Sequence, residues 1–553
     1  MAEKTPKIKI LETLDLSGIQ DEKARQVMEL LLNLVEEVTQ ENQDLRAANQ
    51  QLCDEINRLK GEQGKPSFKS KPKAKTSTNY SSEAERRTRK KRRRRSKRES
   101  ITIDRTEILP VDRANLPPDA EFKGYEDVVV QDIILRTDNV KFRKEIFYSA
   151  AEGKSYRAEM PSGYSGAFGP AVRALVMVLY YGGTMSEPKI LDLLHDVGTD
   201  ISAGQLSNML IKGQEAFHEE KDAIYKAGLE SSTYQHIDDT STKVNGENAY
   251  CYILCNPLYT VYHTTPRKDR LTVIDVLWNG RTQYRLNDEA MAYLERVGLS
   301  AKKRARLWNL PRDVTLDADR LDRLLEAHVP NLGPQQRKWV LEAMAVAAYH
   351  TQSAWPVVDM LIADDAGQFK WITDDLALCW VHEGRHYKKL TPVVPLHRAK
   401  LEAFRKQFWE FYRELLAYRQ TPTNAARTRL DADFDALFST ITGYAALDDR
   451  IAKTRAKKTA LLQVLAHPEI PLHNNPAELG ARQRVRKRDV SFGPRVSDGV
   501  RAWDTFATFA ETAKKLGVSF YAYLHDRISA QYQLPSLASL ITDRVFTLNG
   551  ATA

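Results

Sequence analysis

Cysteine is scarce in this chain, with 4 in 553 residues, at positions 53, 251, 255 and 379. So few and so scattered, they exclude a disulfide framework and a Cys-rich zinc module, and they fit a reducing compartment. Cys251 and Cys255 lie four apart in a strand-forming run and are read as packed thiols. No apolar run reaches the length of a membrane span, and residues 1–10 contain no signal-peptide core, so no membrane partner is expected. Residues 101–161 hold neither Cys nor His. What is present is ordinary for globular cores, with 42% hydrophobic residues, on a length that suggests roughly three or four domains.

The net charge of +9 is concentrated in one segment. Residues 65–98 contain 16 Lys and Arg against Glu83 and Glu85, a net +14, which leaves −5 for the rest of the chain. Its densest part is Arg86, Arg87, Arg89, Lys90, Lys91, Arg92, Arg93, Arg94 and Arg95. Such a run repels itself when free. On DNA it would release counterions and add sequence-independent, salt-sensitive affinity. A solvated tail would have the same composition.

Ahead of it, residues 24–59 carry a seven-residue repeat. Leu31, Val38, Leu45, Leu52 and Leu59 form one seam position, and Met28, Val35, Asn42, Asn49 and Ile56 the other. This predicts a coiled coil, and the two Asn favour a parallel dimer in fixed register. An amphipathic helix packed on its own domain is the alternative. A basic-zipper arrangement fails on order, because there the basic region precedes the zipper.

Residues 101–161 are expected to form a small β-rich module, with strands over 128–135 and 140–147. After a Gly/Ser hinge at 162–169, residues 171–217 read as helical. Within them, 188–194, a turn near Gly198, and 202–211 with Ser202 as N-cap have helix-turn-helix spacing. An extended run over 233–237 then delivers Asp238 and Asp239 to its C-terminal end, followed by a hairpin over 249–264 rich in Tyr, Val, Ile and Thr. Acids at a buried strand end need an offsetting charge, and a hydrated divalent metal is the usual one where phosphate is handled. A solvated turn between strands would carry the same residues. Residues 287–351 read as a helical insertion. The apolar run 357–363 ends in Asp364 and Asp365, a second acidic strand end. Residues 376–382 include Cys379-Trp380-Val381-His382, with Arg385 following. Residues 401–465 are a long helical region whose stripe of Phe404, Phe408, Phe411 and Leu415 is core. In 470–480, Asn474 and Asn475 suit a turn and helix cap, and Pro476 suits a first helical turn. Glu478 falls in that turn, with Arg482, Arg484, Arg486, Lys487 and Arg488 behind it. A surface ion pair of Glu478 with Arg482 is the plain alternative to a metal site beside phosphate.

The Asp238-Asp239-Thr240 element, the Ala363-Asp364 strand end, Cys379-Trp380-Val381-His382 and Asn474-Asn475-Pro476-Ala477-Glu478 occur in the order seen in IS66-type transposases. The tail follows suit, with 487–492, Thr512-Ala513-Lys514 and Tyr521-Ala522-Tyr523-Leu524. The chain therefore resembles that family over most of its length.

The resemblance implies an α/β catalytic core of RNase H-like type with large helical insertions, plus an N-terminal coiled coil and a small β-rich module. The corresponding division is 1–60 coiled coil, 61–100 basic linker, 101–161 β-rich module, 162–230 helix-turn-helix-like region, 231–500 catalytic core with insertions at 287–351 and 397–466, and 501–553 helical tail. It implies a catalytic and metal-holding triad of Asp238, Asp364 and Glu478. Asp239 is a further candidate ligand, standing where the family usually has Glu. Asp365 stands where Gly is usual, and His473 replaces the usual Asp before the paired Asn. The absence of Cys and His from 101–161 departs from the family's zinc-binding module, so no zinc is expected. None of these departures removes a triad member.

The implied chemistry is metal-dependent strand cleavage and transfer. Two Mg²⁺ (or Mn²⁺) ions roughly 4 Å apart would activate water against a phosphodiester. His382, Arg385 and Arg482 are candidates for positioning substrate or carboxylate, and Arg385, Arg482, Lys487 and Arg488 for meeting DNA. The expected partners are transposon ends and target DNA, a second copy through the coiled coil, and accessory transposition proteins, in a bacterial cytoplasm at the nucleoid. Two rivals share many of these features: a non-catalytic DNA-binding dimer derived from a transposase, and an RNase H-like nuclease that cuts without joining.

Overall fold

The structure is a computed structural model describing residues 19–59 and 101–550, apart from 113–114, 118–119 and 165. The basic block at 86–95 lies outside the described residues.

Helix α1 (Glu22–Leu59) is unbroken for 38 residues, as a Gly- and Pro-free run of helix formers should be. Its first half docks on the body of the protein. Leu32 packs with Val394, and Glu36 accepts from the backbone N–H groups of Val393 (2.8 Å) and Val394 (2.7 Å). Asn33 donates to Gly443 O at 3.1 Å and accepts from Ala445 N at 2.9 Å. Of the seven-residue seam, Met28 packs beside Leu32 and Val394, whereas Leu45 and Leu52 further along are 57% and 61% exposed.

The module expected over 101–161 is not formed as such. Its described strands are only β1 (Ile146–Ser149) and β2 (Lys154–Arg157), an antiparallel pair. Residues 128–135 form no strand, and Val128, Val130, Ile133 and Ile134 are exposed. The β-branched residues are there, as two apolar blocks around Gln131 and Asp132, but they have no facing layer to bury against, and a lone two-stranded pair cannot supply one.

Next come α2 (Pro170–Met177), which runs into a π-helical turn at Val178–Gly182, then α3 (Glu187–Asp196), α4 (Ala203–Ile211) and α5 (Glu215–Glu230). Helices α3 and α4 fall where the sequence places two helices, over 188–194 and 202–211. Gly198 takes φ +83° in the turn. Ser202 caps α4 through a reciprocal capping box with Gln205.

The central sheet has strand order β5-β4-β3-β8-β9: β3 (Tyr234–Val244), β4 (Glu247–Cys255), β5 (Thr260–Thr265), β8 (Met360–Ala363) and β9 (Asp375–Leu378). β3, β4 and β5 are antiparallel neighbours, whereas β8 runs parallel to β3 and β9 parallel to β8. Asn245 and Gly246, both at positive φ, close the β3–β4 hairpin, the two-residue turn that such strands favour. β3 is longer than the sequence suggests. The extended run does not stop at Ile237 but continues to Val244, because β4 pairs with it throughout. Along its other edge, pairing with β8 ends at His236.

Between β5 and β8 lie α6 (Arg270–Leu277), the short pair β6 (Tyr284–Arg285) and β7 (Thr315–Leu316), α7 (Asp288–Arg296), α8 (Ala301–Leu307), α9 (Ala318–His328) and α10 (Pro334–Thr351). This is the first expected insertion. After β9 come α11 (Trp380–Lys389), α12 (Pro395–Gln420), α13 (Asn424–Leu437) and α14 (Ala445–Arg455), which carry the second. Two short turns follow, α15 (Lys458–Leu461) and α16 (Gln463–Ala466), and then α17 (Asn475–Ser491), α18 (Ser497–Leu516), α19 (Phe520–Ile528) and α20 (Leu537–Gly550).

Period-two alternation on β8 divides the core between the two faces. Leu361 and Ala363 join the larger cluster, while Met360 and Ile362 join the cluster built on Trp380, Phe404, Phe408, Phe411 and Leu415. The outer edge of β5 is closed by a helix rather than by a strand. Asp504, Thr508 and Thr512 of α18, four apart, accept from the N–H groups of Thr264 (2.6 Å), Tyr262 (3.2 Å) and Thr260 (3.2 Å), two apart. Helical and strand periods thus match at this edge, and its donors are satisfied.

Candidate active site

Asp238 and Asp239 are neighbours in β3 and must face opposite sides of the sheet. Register decides which faces what. Asp238 stands opposite Ile253, and Asp239 opposite Tyr252. Ile253 meets α17: a Cβ placed on Gly480 would lie 2.8 Å from its Cγ2. Asp238 is therefore on the face covered by α17, two residues before whose Gly480 stands Glu478. Asp239 is on the other face, where Lys268 pairs with it at 2.7 Å and Gln368 donates to it at 2.9 Å.

Helix α17 is tied to β3 at both ends. Asn474, at the N-cap position, makes no cap hydrogen bond with its side chain. Instead Nδ2 donates to Ile237 O at 2.7 Å, and Oδ1 lies 2.9 Å from His236 Nδ1. The expected helix cap is thus a bridge to the strand just ahead of Asp238. At the far end Arg488 donates to Ser241 O at 2.7 Å, and Asn245 N to Pro494 O at 3.0 Å. Tyr262 Oη donates to Gly480 O at 3.2 Å, possible only because Gly480 lets the helix approach.

Asp364 follows directly on β8. Its Oδ1 accepts from Ala366 N at 3.1 Å. His236 is in register with Ile362, so parity continues Asp364 onto the side of His236 and Asp238. Burial pushes the Asp238 carboxyl up to about 7, and the charges of Asp364, Asp239 and Glu478 push the same way. Burial also raises Asp239, against the opposing effect of Lys268 and Gln368. Burial acts upward on Asp365 as well, but Lys370 (2.8 Å) and Lys457 (2.5 Å) together hold it below its ordinary value. These lysines and Asp365 line a cleft of about 430 Å³ with Trp371 and Arg296.

Glu478 does not pair with Arg482, as the plain alternative has it. Its carboxylate accepts from Arg385 Nη2 at 3.1 and 3.3 Å and lies 3.6 Å from His382 Nε2. Both residues are on α11. Cys379 precedes that helix and accepts from Asn474 N at 3.2 Å. Burial raises its thiol to about 11, with the N–H groups of His382, Asn474 and Val381 opposing. Burial lowers His382, against the charges of Glu478 and Asp364. The three acids share a field, but they are not one tight ligand set. Among the described residues, the group whose donor atoms all fall within 4.8 Å of one another is Cys379, His382 and Glu478. Like carboxylates repel, and Glu478 takes the nearby guanidinium.

Of the residues expected to meet DNA, Arg385 and Arg482 are exposed and Arg488 is half-buried. Lys487 is a correction. It is 2% exposed, donates to Tyr180 O (3.2 Å) and Met185 O (3.0 Å), and sits over the Tyr180 ring. Burial lowers its ammonium to about 7. One face of α17 packs inward, and the helical period carries Arg484 and Lys487 with Gly480 onto it. Lys268, Gln368 and Gly480 escaped the sequence reading. Only Gly480 left a signal, as a glycine inside a helical run.

A family model described as "Transposase IS66 family" matches residues 165–293. That span takes in Asp238 and ends before Asp364 and Glu478. The chain is also 32% identical over 328 residues to the uncharacterized protein y4jO of Sinorhizobium fredii, covering 57% of this chain and 98% of that relative.

Proposed function

The chain belongs to the IS66 transposase family, and on that premise we propose that it is a DNA transposase with an RNase H-like core and an Asp238–Asp364–Glu478 site. The observation that carries this reading is the placement of Asp238 on the face that α17 covers, with Glu478 at the start of that helix and Asp364 following β8 on the same side; burial and the charges of Asp364, Asp239 and Glu478 push the Asp238 carboxyl up to about 7. A partly buried cluster of like charge is costly unless a cation offsets it, and its all-oxygen donor set suits Mg²⁺ or Mn²⁺. The mixed order of the sheet, with the two Asp where β3 and β8 part, is in keeping with the RNase H-like assignment.

Asp238, Asp364 and Glu478 would hold the metal, with Asp239 kept in reserve by Lys268 and Gln368. When bound, such ions supply Lewis-acid activation of water and neutralise charge at phosphorus. The chain's own part is to orient the three carboxylates, through the ties of α17 to β3, and to present Arg385 and Arg482 to phosphate oxygens. Arg385 would pass from Glu478 to the DNA backbone as metal and substrate arrive. The exposed seam of α1 would take a second copy of the chain, and α3–α4 with the basic block would grip element ends.

Labelled element ends, a target plasmid and Mg²⁺ or Mn²⁺ test the reading. Asp238→Ala, Asp364→Ala and Glu478→Ala should each abolish cleavage and joining while leaving end binding largely intact. Wild-type cleavage in any one of them removes that residue from the site. Cleavage without joined products leaves a nuclease, and binding without cleavage by the wild type leaves a non-catalytic binder.

A further inference from the structure

The side chains that converge most closely where α11 and α17 begin are Cys379, His382 and Glu478, their donor atoms all within 4.8 Å of one another. Backbone geometry builds the group. Cys379 is the residue before α11 and His382 lies three further on, so the two share a helix face. Glu478 is in the first turn of α17. The two helix starts are clamped together: Trp380 N donates to Leu472 O at 3.0 Å, and Asn474 N to Cys379 Sγ at 3.2 Å. The Trp380 indole, itself fully buried, donates to Leu461 O at 2.8 Å and anchors the turn from below. Within this frame His382 Nδ1 is buried without a hydrogen-bond partner, while its Nε2 takes the Arg385 guanidinium at 2.8 Å. A guanidinium only donates, so Nε2 is the accepting nitrogen; it lies 3.6 Å from the Glu478 carboxylate and can take a cation once Arg385 leaves.

A thiol, an imidazole and a carboxylate form a borderline-soft donor set. Mg²⁺ and Ca²⁺ take oxygen ligands, whereas thiolate with imidazole selects zinc-like ions. Three protein ligands with a fourth position open is also the pattern of reactive zinc sites.

We propose that Cys379, His382 and Glu478 form a binding site for one thiophilic divalent cation of the Zn²⁺ class. The absence of Cys and His from 101–161 has no bearing here, since these ligands come from elsewhere in the chain. On binding, the Cys379 S–H bond breaks, its proton passes to solvent, and the sulfur pair forms the bond to the metal. Arg385, exposed and holding Glu478 through two contacts, swings out as the cation takes its place. The site draws on the proposed function in one respect, the sharing of Glu478. One carboxylate cannot serve both centres fully, so zinc occupancy withdraws Glu478 from the Asp238–Asp364 pair and suppresses strand cleavage despite excess Mg²⁺.

Cobalt(II) titration of the full chain reads the site directly, since a thiolate ligand gives a near-ultraviolet charge-transfer band and a tetrahedral site gives strong visible bands. One equivalent should develop both, and Zn²⁺ should bleach them. Cys379→Ser should remove the charge-transfer band, and His382→Ala should weaken cobalt binding at least about tenfold. Asp238→Asn and Cys53→Ser should leave the spectrum unchanged, Cys53 being the exposed thiol. The proposal falls if the wild type gives no charge-transfer band, if the band survives Cys379→Ser, or if it disappears with Cys53→Ser. Circular dichroism accompanies each variant, and the wild-type titration with Zn²⁺ competition decides even if Cys379→Ser does not fold. If cobalt binds as described but the triad variants still cleave DNA, the Asp238–Asp364–Glu478 assignment fails and this site stands.

Discussion

Replacing Asp238 by Asn tests the electrostatics of the candidate site without requiring DNA. Asn copies the shape of the protonated acid and cannot ionise. In the metal-free protein the Asp238 carboxyl sits at about 7 against an ordinary 3.8, so the folded state binds a proton more readily than the unfolded one. The sign follows from linkage: stability falls as pH rises between those two values, and the full penalty is present above about pH 7. A displacement of that size corresponds to about 4 kcal/mol as an upper figure, and relaxation around a partly buried group should reduce it to about 2–4 kcal/mol. Asp238→Asn removes the penalty. In chelator, its stability advantage over wild type should be near zero below about pH 4 and should grow to that range near pH 8, measured by urea unfolding across a pH series. Adding Mg²⁺ should then reverse the contrast at pH 8. The wild type should gain about 2.7 kcal/mol when the ion is at one hundred times its Kd, and the variant little. A pH-independent difference between the two proteins, or equal stabilisation of both by Mg²⁺, would refute the reasoning.

Gly480→Ala should force α17 away from Ile253 and cost about 1–3 kcal/mol. Cleavage should fall more than end binding, and equal losses in the two assays would mean that α17 does not set the position of Glu478. Lys487→Met should leave the salt dependence of DNA binding unchanged, because Lys487 is buried. Arg482→Ala, at an exposed position, should lower its slope by about one; the opposite pattern in a filter-binding salt series would reverse the two assignments. Leu45→Pro with Leu52→Pro should break the exposed part of α1 and abolish self-association, and an unchanged sedimentation profile would remove the zipper.

Local rules made several features legible. The run of helix formers over 22–59 could only be a helix, and Ser202 announced the capped start of α4. The run rich in Tyr, Val, Ile and Thr over 249–264 forms strands, β4 and β5. Alternation alone made Asp238 and Asp239 face opposite ways, whatever surrounded them. The acids at 238 and 364 stood out because charge at the end of an apolar run is expensive, and Glu478 because it opens a helix beside a basic run.

Other features depended on partners distant in sequence. Nothing local says that β4 would carry β3 on to Val244, or that α17 would cover the Asp238 face and leave Asp239 to Lys268 and Gln368. The 128–135 stretch is rich in β-branched residues and forms no strand, since burial needs a second layer that the chain does not bring there. Asn474 has a capping residue's identity, yet its side chain is engaged by β3. Lys487 belongs to a basic run and still lies inside, because the helix carrying it packs one face against the body. Periodicity is a property of the segment alone, and it determined which residues share a side. Which side became interior was decided when the folded chain brought another surface against it.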